Sequence, residues 1–413
     1  MTAARQTVLI RNALRLVAGA ALLVGMPTAA AAEAAKDHRH DMQARWTAQS
    51  AKRDPLGVSV AMDERGTLWL ARVSDGHLRV SQSRDHGKTF IDEVIVNPEP
   101  ENIRAEGQSR PRIAARNGTV LVVWPQALEK VFSGHVRMSR STDNGRHFSR
   151  PHTINDDDND AASHAFVTLA MDDRRNVAVA WLDGRHRAAA RASGSDYAGS
   201  SFYYVLSTNG GETFSGNLRL ADHTCECCRI GLAMAPDGNA VALWRHLFEG
   251  GVRDFATSTL APGAAVRRAS VDNWQIDGCP HHGGDIAIDH RNAAHIVWFT
   301  GSPQAPGLFY RRIEGTQMTA PFAFGDPESQ AGNATLFAKR KNVHVVWREF
   351  DGTQYRLLAM HSRDRGTHWS TAREIARTAS AADLPLFVAN AKTPAVAWNT
   401  ADGLVIIDLE KTR

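Results

Sequence analysis

Three features of the sequence predict an all-β chain folded as a β-propeller. A short apolar strand ending in Trp recurs through the chain, polar turns precede it, and long amphipathic helical patterns are absent. The strand occurs at Leu68-Trp69-Leu70-Ala71 and at residues 121–124, 177–181, 241–244, 295–298, 344–347 and 395–398. These seven copies lie roughly 50–60 residues apart, the period of a blade of about four strands. The first copy lacks the terminal Trp and is the weakest. Turns such as Asp63-Glu64-Arg65-Gly66 and Pro236-Asp237-Gly238 supply the residues a hairpin needs before the second strand.

Residues 1–32 read as a secretory signal. Arg5, Arg11 and Arg15 form a basic start, an apolar run covers residues 16–26, and Ala30-Ala31-Ala32 offers a small-residue cleavage site. The apolar run is short for a bilayer span. Removing this segment takes three Arg and no acid from the formal charge of +4, leaving +1 on 381 of the 413 residues. The basic excess that hints at nucleic acid therefore belongs mostly to the signal. Residues 33–44, with His38 and His40, read as a flexible His-containing segment, and residues 45–413 as one propeller domain. The expectation is a periplasmic or secreted protein, monomeric, bound to neither nucleic acid nor membrane.

A second pattern runs out of phase with the first. Ser83, Asp85, Gly87 and Phe90 reappear as Ser141, Asp143, Gly145 and Phe148, as Ser207, Asn209, Gly211 and Phe214, and as Ser362, Asp364, Gly366 and Trp369. The side chains of Ser and Asp or Asn can hold turn amides, Gly takes the left-handed position, and the aromatic pins the turn to the blade. This is the Asp box, and four copies in register with a blade repeat resemble the sialidase-like, Asp-box (BNR-repeat) propellers. The resemblance covers residues 45–412. It implies structural turns on one face and function on the other.

Seven Trp strands predict seven blades, whereas the family's sialidases have six, so six blades plus an irregular sheet is the alternative. The last blade has strands near residues 384–388, 394–398 and 403–409, and residues 45–50 are the segment available as its fourth.

Strand direction sorts residues by face. The starts of first strands and the ends of second strands share the face opposite the Asp boxes. Aligned on Ala170, Ala233 and Ala287 of three first strands, His164, Cys227 and His281 fall six residues earlier, and Cys228 and His282 five earlier. All four cysteines lie in Cys225-Glu226-Cys227-Cys228 and Cys279-Pro280-His281-His282. The loops linking adjacent blades should bring these runs together. Thiolates with imidazoles suit a soft metal, copper or zinc. The metal set is Cys225, Cys227, Cys228, Cys279, His281 and His282, with His164 and His246 as further ligands. The competing reading is disulfides, pairing Cys227 or Cys228 with Cys279 in an oxidising compartment.

Strand ends add Asp183, Arg245, Arg348 and Glu349 as ligand-binding residues, and the loop over residues 183–200 is long enough to cap the channel mouth. The resemblance also implies an exo-sialidase: three arginines on a carboxylate, a Tyr–Glu nucleophile pair and an Asp acid. Arg112, Arg245 and Arg348 are the clamp candidates, yet Pro111-Arg112-Ile113-Ala114 departs from the family's segment at both ends. The five tyrosines include none at a strand end beside a Glu. The leading expectation is an exported binding protein with a Cys/His rim. The alternatives are a glycan-processing or lectin-like protein and a protein-interaction scaffold clasped by disulfides. The expected partners are accordingly a metal ion, a glycan or another protein.

Overall fold

The computed structural model describes residues 55–389 and 394–410. The proposed signal, the His-containing segment and the strand at residues 45–50 lie outside the described residues. Within them the chain forms seven antiparallel sheets in sequence order. Blade 1 holds β1 (Ser59–Met62), β2 (Leu68–Ser74), β3 (His77–Ser83) and β4 (Ile91–Ile95). Blade 2 holds β5 (Arg112–Arg116), β6 (Thr119–Ala127), β7 (Gly134–Ser141) and β8 (His152–Thr153). Blade 3 holds β9 (His164–Met171), β10 (Val177–Asp183), β11 (Ser200–Ser207) and β12 (Leu218–Thr224), with helix α1 (Arg185–Ser193) between its second and third strands. Blade 4 holds β13 (Gly231–Met234), β14 (Ala240–Arg245), β15 (Phe255–Thr259) and β16 (Arg267–Arg268). In blade 5, β17 (Asp285–Ile288), β18 (Ala294–Thr300) and β19 (Gly307–Glu314) are followed by a split outer edge, β20 (Gln317–Met318) and β21 (Phe322–Phe324), both paired with β19. Blade 6 holds β22 (Gly332–Lys339), β23 (Asn342–Phe350), β24 (Tyr355–Ser362) and β25 (Arg373–Thr378). Blade 7 has three described strands, β26 (Leu386–Ala389), β27 (Pro394–Thr400) and β28 (Gly403–Asp408).

The seven first strands stand side by side, and β26 returns against β1, so the ring is closed. The fold is a seven-bladed β-propeller, and the six-bladed alternative falls. Each predicted Trp strand is the second strand of a blade.

The second strands are mostly apolar because most of their residues are buried on both faces of the blade. Core clusters bridge neighbouring blades, as where Trp69, Val80 and Trp124 join blades 1 and 2. Buried indoles need an acceptor. Trp124 Nε1 donates to Glu101 (2.8 Å), Trp298 Nε1 to Asp272 (2.9 Å) and Trp398 Nε1 to the Asp383 carbonyl (3.0 Å). Trp181 and Trp347 find theirs two residues on, at Asp183 (2.9 Å) and Glu349 (2.8 Å).

The Asp boxes close as the sequence predicts, and Asn209 substitutes without loss. In the second box Ser141 Oγ donates to Asp143 Oδ1 (2.8 Å) and accepts from Gly145 N (2.9 Å), while Asp143 Oδ1 accepts from His147 N (3.0 Å). In the third, Asn209 Oδ1 accepts from Ser207 Oγ (2.8 Å) and Thr213 N (3.1 Å). The turn glycines press on the preceding blade: a Cβ on Gly145 would sit 2.5 Å from the Trp69 ring, at φ +73°. Only a residue without Cβ fits there.

Gly145→Ala combines left-handed strain with overpacking, and should destabilise the ring by about 2–4 kcal/mol. A fall in the thermal unfolding midpoint is the readout; an unchanged midpoint would show that the turn does not clamp blade 2 onto blade 1.

Candidate metal centre on the channel rim

Two loops build the centre. Residues 225–230 link the outer strand of blade 3 to β13, and residues 269–284 link the outer strand of blade 4 to β17. Because first strands line the channel, both loops must descend at the same rim. Gln108, from the segment leading into β5, braces them: its Oε1 accepts from Arg229 N and Gly283 N, both 2.9 Å, and its Nε2 donates to Asn333 Oδ1 (3.3 Å). One buried amide thus fixes the end of each cysteine loop and reaches blade 6.

The cysteines meet as the alignment predicts. The thiols of Cys225, Cys227 and Cys228 converge, and Cys227 also converges with Cys279 Sγ and a ring nitrogen of His281, the atoms of each group lying within 4.8 Å of one another. Cys225 Sγ is 3.6 Å from both Cys227 Sγ and Cys228 Sγ. All four cysteines are free thiols. Sulfurs on one tetrahedral or trigonal metal at about 2.3 Å stand about 3.8–4.0 Å apart, whereas a disulfide needs about 2.05 Å. The observed spacing is close to the former.

The thiols occupy contrasting surroundings. The three in the first group are buried, while Cys279 and His281 are exposed. Arg253 Nη1 donates to Cys225 Sγ (3.2 Å), with Arg253 Nε held by the Ile276 carbonyl (3.0 Å). Burial works against a Cys228 thiolate, but hydrogen bonds from Cys225 and Cys227 and the charge of Arg245 draw its pKa well below the ordinary value. Hydrogen bonding to its two neighbours, with burial, pushes Cys227 up, and burial pushes Cys279 up.

The remaining sequence-predicted residues divide. His282 belongs to an adjoining cavity of about 380 Å³, lined also by Gln108, His281, Gln330, Asn333 and Arg348. Its ring stacks on Phe299 at 4.2 Å, and burial followed by the charges of Arg245, Arg229 and Arg348 lowers its pKa to about 4. Among the described residues its buried Nδ1 has no hydrogen-bond partner. His246 joins neither thiol group: its Nδ1 takes the Trp244 indole N–H (3.4 Å), and burial lowers its pKa to about 4.

Four of the predicted residues lie outside the thiol groups and make other contacts. Asp183 and Glu349 are acceptors for buried indoles, each further bound by arginine, Arg185 and Arg356 respectively. Arg245 is buried and donates to the carbonyls of Arg253, His282 and Phe299 at 2.7–2.9 Å, so its guanidinium is committed to the backbone. His164 sits apart from the cysteines, in a second group with Asp157 and Asp183 whose ligand atoms lie within 4.8 Å of one another. Its Nδ1 donates to the Gly134 carbonyl (2.6 Å), and its Nε2 lies 2.9 Å from Asp157 and 3.4 Å from Asp183. The alignment placed it on the correct rim, but in blade 3 the preceding segment supplies carboxylates instead of thiols. Arg348 stays at the cavity wall, donating to the Ala382 carbonyl (2.8 Å) and lying over Tyr355.

The residues 183–200 carry a helix where a loop was expected. Its Ala- and Arg-rich sequence favours helix, and Gly194 at φ 69° ends it in the left-handed conformation. Among the described residues no tyrosine hydroxyl is bonded to glutamate. Tyr197 meets Asp222 (2.6 Å), Tyr203 meets His186 (2.9 Å) and Tyr310 meets His295 (2.7 Å). Arg253 and Gln108 carried no signal in the sequence, since each acts through a partner distant along the chain.

No known protein-family profile matches the chain, and no curated protein matches it by sequence. Solved structures do share its fold. An ulvan lyase representing a polysaccharide lyase family aligns at a TM-score of 0.52 and 10% identity over 84% of this chain and 90% of its own. The polysaccharide lyase Uly1 aligns at 0.52 and 8% identity, over 85% and 89%. A protein of unknown function from Dyadobacter fermentans aligns at 0.50 and 14%, over 76% and 96%. At such identities the likeness is one of fold.

The His164 group gives a pH test. Burial opposes its charge, but the interaction with Asp157 and the charges of Asp183 and Asp157 outweigh this and raise its pKa above the ordinary 6.5. A raised folded pKa stabilises fully below the unfolded pKa, and the effect is lost as pH rises through the folded value. His164→Asn should therefore cost more stability at pH 6 than at pH 9 in chemical denaturation. An equal cost at both would mean that His164 folds neutral.

Proposed function

We propose that this is an exported binding protein whose Cys/His rim holds a soft metal, copper(I) or zinc(II). The observation that carries the reading is the convergence of four free thiols and His281 from two loops of adjacent blades. Soft donors select copper(I) or zinc over the hard cations. Three thiols, with no fourth donor grouped with them among the described residues, favour copper(I), which accepts three-coordination. The residues proposed to bind are Cys225, Cys227, Cys228, Cys279 and His281, with Arg253 and Gln108 as positioning residues. Export is supported by the basic, apolar and small-residue pattern of residues 1–32.

The cavity favours a second reading, in which a glycan docks at the channel mouth. Arg348 and the amides of Gln108, Gln330 and Asn333 offer polar groups suited to sugar hydroxyls or a carboxylate. Both readings keep function on the rim opposite the Asp boxes. Loss of glycan binding in Arg348→Ala, with metal content unchanged, would establish the second beside the first.

The first reading is tested by elemental analysis of protein from an export-competent host, with thiols counted by alkylation and intact mass. Stoichiometric copper or zinc, reduced to background in Cys227→Ser/Cys228→Ser, is expected. Two complete disulfides with no bound metal would overturn it and leave the scaffold alternative.

A further inference from the structure

The two thiol groups are not separate sites. Cys227 belongs to both, with Cys225 and Cys228 on one side and Cys279 and His281 on the other. We propose that they load together as a dinuclear copper(I) centre, with Cys227 Sγ bridging an inner and an outer ion. This rests on the metal-binding reading above. A thiolate keeps more than one lone pair after forming one metal bond, so it can bridge. The inner position would be Cys225, Cys227 and Cys228, and the outer Cys227, Cys279 and His281. Each is a set of three soft donors, which suits copper(I) better than a four-coordinate zinc.

Charge supports double loading. The inner ion with three thiolates carries an excess of two negative charges in a buried place, which would be costly alone. Arg253 bonded to Cys225 and Arg245 beside Cys228 supply two positive charges. The outer ion brings one positive charge and the Cys279 thiolate one negative, and His281 is neutral as a ligand. Filling the outer position therefore leaves the balance intact. On loading, each thiol passes its proton to solvent as a copper–sulfur bond forms, and copper remains copper(I) throughout.

Burial gives the positions different tasks. Cys225, Cys227 and Cys228 are 1%, 4% and 2% exposed, so the inner ion is closed off. Cys279 and His281 face solvent, and His281 also lines the cavity. The outer position is thus the exchanging one, where a thiol- or imidazole-bearing carrier can reach the metal, and the inner one retains.

The test is an anaerobic copper(I) titration of the reduced full chain against a chromophoric chelator, with X-ray absorption on the loaded protein. Two ions per chain and a copper–copper scattering shell are expected, one ion leaving to excess chelator faster than the other. Cys279→Ser/His281→Ala alters exposed side chains, so folding should survive. That variant should bind one ion and lose the copper–copper shell. One ion in the wild type, unaffected by that variant, would overturn the dinuclear proposal while leaving metal binding intact. Two ions without a copper–copper shell would overturn the bridge. No copper at all would overturn both readings.

Discussion

The ring depends on its second strands, six of the seven closed by a Trp whose indole N–H must still be satisfied. Burying such a side chain stabilises by several kcal/mol, but an unpaired N–H in the same place costs about 1–3 kcal/mol. The chain meets this in four ways: a carboxylate two residues on in blades 3 and 6, a carboxylate from a distant loop in blades 2 and 5, a backbone carbonyl in blade 7 and an imidazole in blade 4. Strand-end polar residues are therefore first of all partners of the core. What remains for function is contributed by the loops that enter the first strands.

Those loops gain their rigidity from a small number of buried bonds across the channel. Arg110 pairs with Asp383 and so ties blade 2 to blade 7 near the seam where the ring closes. Arg229 donates to the carbonyls of Gly284 and Ala334, tying blade 4 to blades 5 and 6. Burial, followed by the charges of Arg110 and Arg229, lowers the pKa of Arg112 to about 9. Asp285 and Asp383 lie close enough to offset part of this positive charge. Ring closure and the cysteine loops are linked through Gln108, which holds Arg229 N and Gly283 N.

Blade number, strand order and turn chemistry were legible in the sequence because each rests on local, repeated patterns. Trp at strand ends reports double burial, and Ser-x-Asp-x-Gly reports a self-contained turn. The convergence of the cysteine runs was legible too, because strand alignment converts sequence offset into height on the rim. Direction of a side chain was not. Asp183, Glu349 and Arg245 stand on the face the alignment assigned them, yet turn into the core or backbone. His164 shows the related limit: equal height does not bring equal neighbours, since the segment before β9 carries Asp157 where the loops of blades 4 and 5 carry thiols. Gln108 and Arg253 act over 121 and 28 residues of sequence, and no periodicity marks them.

The export proposed for this chain would set oxidation against metal binding at its free thiols. Closing Cys225 and Cys227 from 3.6 Å to about 2.05 Å requires a shift smaller than a bond-rotation step in a flexible loop. The loop is not flexible in that sense: Cys225 N donates to the Arg245 carbonyl (2.9 Å), and Arg229 N is held by Gln108. Backbone anchors on both sides of residues 225–228 hold the three sulfurs near the spacing of a metal's ligands. Burial then slows access of an external oxidant to the inner trio, whereas exposed Cys279 has no such protection. The site's susceptibility to oxidation is thus concentrated at its outer edge, where a bound metal ion would also cover the thiol.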